Sequence, residues 1–192
     1  MYRNRITRIV LAVLLLATVT AGTIVMAQSN DSAAEIIKVE VAEDGNRFVF
    51  DDAPVFEDGV PAYGNSFVTF GYLYPEGTLN GTNGVLADGS PEFPDKVLGT
   101  WICKGWMIGD GGHTESGVWV TSTQIYNFGE EFGSATIVTD GFEAADFNVP
   151  ISRAIVGGTG EYSAAMGEMS QQLLGFTEQM GVNLSVELSL AQ

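Results

Sequence analysis

Hydrophobic and polar residues alternate most cleanly near the C-terminus, where Val182, Leu184, Val186, Leu188 and Leu190 are separated by Asn183, Ser185, Glu187 and Ser189. Strand side chains point alternately to opposite faces, so this phase predicts a strand with one buried and one wet face. Shorter runs of the same kind precede it: Glu35 to Ala42 closed by EDGN, Arg47 to Phe50 closed by DDAP, Asn65 to Tyr74 ending at Pro75, Val97 to Ile108, Gly117 to Phe128, and Ser134 to Thr139 followed by Asp-Gly. The breaks between them are Gly, Asp, Asn and Pro clusters, the residues that turns require. Gly77 to Asp95 reads as one long loop, of a length usually found in functional or mobile segments. About eight strands at this spacing, without helices between them, predict an all-β antiparallel barrel or sandwich. Glu161 to Leu174 (EYSAAMGEMSQQLL) departs from the pattern. Its Ala, Met, Gln and Leu favour helix, although Gly160 and Gly167 weaken that preference.

The first 27 residues have another plan. Three arginines (Arg3, Arg5, Arg8) precede the apolar run Ile9 to Leu16, small residues come after it, and Val25 and Ala27 occupy the positions that a signal peptidase reads. A retained membrane anchor is the competing reading, but Thr18, Thr20 and Thr23 interrupt the run, which is short of the roughly 20 apolar residues that a span needs. The expectation is therefore a signal peptide at 1–27, a flexible spacer at 28–34 and a domain at 35–192, secreted or periplasmic after cleavage. The chain beyond residue 27 carries five cations against 24 acids, a net charge of −19. That excludes nucleic acid and anionic membrane surfaces as partners. Cys103 is the single cysteine, so no intramolecular disulfide forms and stability rests on burial.

The stretch Asn127 to Gly167 contains NFGEEFG, TIVTDG and ISRAIVGGTGEYSAAMGE. It resembles the allene oxide cyclase and dirigent proteins, eight-stranded antiparallel barrels marked by an apolar strand running into G-G-[ST]-G-x-[FY] and then x-x-A-x-G. Gly157, Gly158, Thr159, Gly160, Tyr162, Ala165 and Gly167 supply that pattern here. FGEEFG, like an F-G-D-Y-G turn, and LYPEGTL (Leu73 to Leu79), like L-Y-D-G-S-L, extend the resemblance upstream. It implies an eight-stranded antiparallel β-barrel, a turn plus strand over Glu161 to Leu174, a homotrimer, and no cofactor or bound metal.

The resemblance also implies chemistry. In the cyclases a glutamate in Y-E-I-N-E works with an ordered water, and V-E-V-A-E here places Glu40 on it, with Ala42 where the asparagine would be. A carboxyl inside an apolar barrel has a raised pKa and can relay a proton; on the wet face, beside Lys38, it would be a solvated surface group. Cys103 matches the cyclases' A-G-L-C strand and by alternation shares a face with Trp101, as a pocket wall or as inert packing. Phe70, Tyr72 and Tyr74, and Tyr126 on a later strand, are candidate pocket-lining aromatics that core filling or trimer burial would explain equally well. Asp110, His113 and Glu115 have metal-ligand residue types at a spacing that matches no ligand pattern. Asp51 and Asp52 resemble the dirigent F-D-D-P, where loop capping competes with proton handling, and Asn80 and Asn183 head glycosylation sequons. Three functions remain open: a cofactor-free cyclase or isomerase that positions a hydrophobic small molecule, unsaturated lipid or phenolic; a dirigent-like or carrier protein without chemistry of its own; and an acidic structural or adhesive domain.

Overall fold

A computed structural model of the chain describes residues 34–80 and 83–191; the expected signal peptide and all but the last residue of the spacer lie outside them. Among the described residues nine strands succeed one another: β1 Glu35–Glu43, β2 Val49–Phe50, β3 Ser66–Pro75, β4 Gly99–Met107, β5 Val118–Asn127, β6 Thr136–Ala144, β7 Ile151–Thr159, β8 Gly167–Phe176 and β9 Val182–Leu190. Each of the long strands pairs antiparallel with its sequence neighbour, and β1 pairs with both β9 and β3, so eight strands close into a barrel. Closure removes the unpaired edges that an open sheet would expose. The two-residue β2 pairs beside β3, Val49 with Val68 and Phe50 with Phe67. Among the described residues helix is limited to single 3-10 turns at 45–47, 94–96, 111–113 and 160–162.

Arg47, expected to start a strand, instead ends the first of these turns, which Asp44 caps through the Asn46 N–H. The helix-favouring composition of Glu161 to Leu174 is overridden, because Met169, Gln171 and Leu173 bury one strand face inside the barrel. The glycine motif makes a corner. Pairing of β6 with β7 slips between Val138 and Thr139, opposite Gly157 and Ile155, an extra residue that bends the strand. Gly160 then turns with φ +61, and a Cβ there would sit 2.0 Å from the Ser134 carbonyl oxygen, so only glycine fits.

The barrel has two unlike ends. At the glycine end, Tyr162 packs on Phe128 with ring centroids 5.6 Å apart, and Ala165, Ile137 and Leu190 fill the interior. The opposite end is ringed by the connections 44–65, 108–117, 145–150 and 177–181. A second, smaller core lies outside the barrel wall, where Leu79 and Val85 from the connection after β3 pack on Ala42 and Tyr74. That connection is tied down rather than loose: the Tyr74 hydroxyl donates to the Gly84 carbonyl at 2.6 Å and the Tyr72 hydroxyl to the Gly89 carbonyl at 2.9 Å.

Candidate functional site

Strand phase decides which side chains face inward. On β1 these are Val39, Val41 and Glu43; on β3 Phe67, Thr69 and Leu73; on β4 Trp101, Cys103 and Met107. Of these, Glu43, Phe67, Thr69, Trp101, Cys103 and Met107 line a cavity of about 320 Å³ at the loop end, the lower range of small-molecule sites. Its walls are mainly apolar: Phe48, Phe67, Trp101, Trp119 and Phe176, with Met107 and Met180. Phe48 and Phe67 are stacked, centroids 5.3 Å apart. Pro61 and Gly112, from two different loops, form part of the rim, joined by the Gly112 N–H donating to the Pro61 carbonyl at 2.8 Å. The indole Nε1 of Trp119 is buried without a hydrogen-bond partner among the described residues.

Two carboxyl groups lie in this wall. Glu43 Oε2 accepts the Val182 N–H at 2.6 Å. Burial pushes the Glu43 carboxyl up to about 7; the Thr69 hydroxyl and the Val182 N–H oppose the rise, and Glu143 and Asp44 add to it. A group with that pKa exchanges protons readily near neutrality. Glu143, across the barrel, belongs to a polar network. It accepts from the Ser122 hydroxyl, from Cys103 Sγ at 3.4 Å and from Gln171 Nε2 at 3.2 Å, and lies 3.7 Å from the Arg153 guanidinium. Arg153 also donates to the carbonyls of Phe142 at 3.0 Å and Ser122 at 2.8 Å. Gln124 links Gln171, at 2.9 Å, to the Tyr126 hydroxyl. Burial, reinforced by Glu143, holds the Cys103 thiol well above its ordinary pKa, so it stays a protonated donor rather than a nucleophile.

The residues singled out in the sequence separate into two groups. Trp101 and Cys103 line the cavity, and Tyr126 is buried inside the barrel below it, within the polar network. Phe70, Tyr72 and Tyr74 have the opposite phase and face outward. Arg47 lies 3.6 Å over the Phe70 ring, and Tyr72 and Tyr74 pack under the connection after β3. Glu40 needs the same correction of placement. It is buried, but on the outer face of β1, where its two oxygens accept the N–H groups of Gly77 at 2.9 Å and Leu79 at 2.6 Å. One residue of strand phase separates wall from cavity. His113 stacks on Phe56 and pairs with Asp58 at 2.9 Å, and no cluster with metal-ligand geometry occurs among the described residues. Asp51 accepts from Ser66 at the exposed start of β3 and Asp52 is exposed. Asn183 is buried beneath the outer connection, donating to the Asn83 carbonyl at 2.9 Å. Glu43, Glu143, Arg153, Ser122 and Gln171 escaped sequence reasoning. The signal that could have found them was phase, since Glu43 continues the Val39–Val41 face and Arg153 lies between Ile151 and Ile155.

No family model and no curated protein matches the sequence. Solved structures do match. A pyocyanin demethylase superposes with a TM-score of 0.51 at 16% identity, over 82% of this chain and 100% of that one. The pterocarpan synthase dirigent protein PsPTS1 gives 0.54 at 15% identity over 84% of this chain and 97% of that one. The pterocarpan synthase dirigent protein GePTS1 gives 0.50 at 16% identity over 87% and 96%. The chain has the allene oxide cyclase/dirigent-like barrel fold. At these identities the likeness is one of fold.

Proposed function

We propose that the barrel binds a hydrophobic small molecule in the loop-end cavity and acts on it as a cofactor-free isomerase or cyclase, with Glu43 carrying the proton. The observation that carries this reading is a carboxyl of pKa about 7 in an aromatic-walled cavity. Such a wall holds an unsaturated or ring-bearing substrate in one conformer, so positioning supplies most of the acceleration and the carboxyl completes it. The structural neighbours, two pterocarpan synthase dirigent proteins and a pyocyanin demethylase, are named for reactions of small molecules, which supports the same assignment. Trp101 and Trp119 both line the cavity, so occupancy changes intrinsic emission. The test is native mass spectrometry of the chain from Gln28 before and after organic extraction, then emission titration with the extracted compound. A removable apolar mass that rebinds supports the site. An empty protein that takes up neither lipids, phenols nor heteroaromatics overturns it.

A carrier or dirigent-like role is the second reading, and one observation favours it. Glu143 is committed to Arg153 and Ser122 and the Cys103 thiol to Glu143, so Glu43 faces the cavity without a free acid–base partner among the described residues. Conversion of the bound compound by wild type but not by Glu43→Gln separates the two readings. We further propose export through the N-terminal segment and assembly as a trimer. Outward-facing Val68, Trp106 and Phe142, on β3, β4 and β6, offer apolar groups for the assembly, and the same mass spectra read the subunit number.

A further inference from the structure

The charges around the cavity do not balance, and the imbalance specifies a ligand. The described cations are Lys38, Arg47, Lys96, Lys104 and Arg153. Lys38 pairs with Glu76 and Glu187 on the outside, Arg47 with Asp44, and Lys96 lies over Phe93. Lys104 borders an outer groove beside Trp106. Arg153 alone of these reaches the interior, where Glu143 and the Phe142 and Ser122 carbonyls use its guanidinium. Glu43 therefore has no cationic partner among the described residues. The titratable groups that bear on it are Glu143 across the barrel, Asp44 next in the chain and the Cys103 thiol, with the Thr69 hydroxyl and Val182 N–H completing its surroundings. The single histidine, His113, is paired with Asp58. A buried carboxyl normally acquires a counter-charge, and here five aromatic side chains share the rest of the wall with Met107, Met180, Val120 and other groups that carry no charge. Aromatic faces attract cations, most strongly where water is excluded.

We propose that the cavity selects a flat aromatic cation, such as an N-alkylated nitrogen heterocycle, over neutral and anionic molecules of the same shape. This rests on the reading of the cavity as a ligand site and narrows it: carboxylates such as fatty acids face Glu43 and Glu143 at close range and are rejected. Binding is linked to pH with a defined sign. A bound cation favours ionised Glu43, so the complex forms with loss of the Glu43 proton when pH lies below the free-state value of about 7, and without loss above it.

Isothermal titration of the chain from Gln28 with N-methylquinolinium, N-methylquinolone and naphthoate tests the proposal. At about pH 8 the cation is expected to bind at least about tenfold more tightly than the other two, and its affinity falls about tenfold towards pH 6. At the lower pH close to one proton is released per ligand, read from the dependence of the heat on buffer ionisation enthalpy. Glu43→Gln removes both the preference and the pH dependence, bringing the affinity for the cation down to that for N-methylquinolone. Should that variant fail to fold, the wild-type pH profile carries the same test. Equal, pH-independent affinities for the cation and the quinolone overturn the charge selection and leave the ligand site standing. Absence of binding by all three, together with no apolar mass in the native spectra, overturns both.

Discussion

Glu40 and Glu43 lie three residues apart on β1, both buried, with opposite fates. Glu40 faces outward and uses both oxygens to hold two backbone N–H groups of the connection after β3, so it serves as a clamp. Glu43 faces inward, holds one N–H, and has an aromatic cavity in front of it. Their difference shows that burial alone does not make a carboxyl reactive. What matters is whether its lone pairs are filled by fixed donors or left towards a space that a ligand can enter.

Substitutions can break or sharpen that contrast, and the largest effect is expected from the inward side. Arg153→Met strands the buried Glu143 carboxyl, costing about 3–5 kcal/mol of unfolding free energy in urea denaturation; a loss under about 1 kcal/mol would show that Arg153 is not the interior counter-charge. Glu43→Gln is expected to act in the opposite direction. The native state holds the Glu43 proton more tightly than the unfolded chain does, so wild-type stability falls as pH rises from about 4.5 to about 7. The variant lacks this dependence and is more stable above that window by up to about 3 kcal/mol, read from denaturation midpoints at about pH 5 and pH 8. Glu40→Ala, by contrast, frees two N–H groups and costs about 2 kcal/mol. Faster amide exchange at Gly77 and Leu79, with ligand binding retained, would confirm the clamp; lost binding at unchanged stability would reverse the roles of the two glutamates. Smallest is Cys103→Ala, expected to cost about 1 kcal/mol through a lost packing contact and a weak hydrogen bond. In the native wild type the thiol resists iodoacetamide at about pH 8 and reacts once urea unfolds the barrel.

Much of the barrel was legible because strand phase and turn residues are local properties. β9 runs over Val182–Leu190, the span its alternation marks, and the glycine motif falls at the corner between β7 and β8. The site was less so. Tyr72, Tyr74 and Phe70 alternate as well as any inward face, but β3 is covered on both sides, by the barrel core on one and the connection after β3 on the other. An apolar pattern on such a strand does not say which face holds the cavity. Glu161 to Leu174 carried two signals: its composition argued for helix and the family resemblance for a turn plus strand, and pairing with β7 and β9 outweighed an intrinsic preference of a few tenths of a kcal/mol per residue.

The sequence by itself determined the strand spacing, the corner that only glycine can turn, the acidic surface and the lack of an intramolecular disulfide, since each comes from side-chain type, charge or backbone freedom at particular places in the chain. The tertiary structure alone decided that Glu43 rather than Glu40 meets the cavity, that Arg153 is committed to Glu143, and that Glu43 has no counter-charge among the described residues. Those facts depend on barrel closure, which brings β1, β4, β6 and β7 around one interior. Coulombic and desolvation energies act through space between residues about a hundred positions apart.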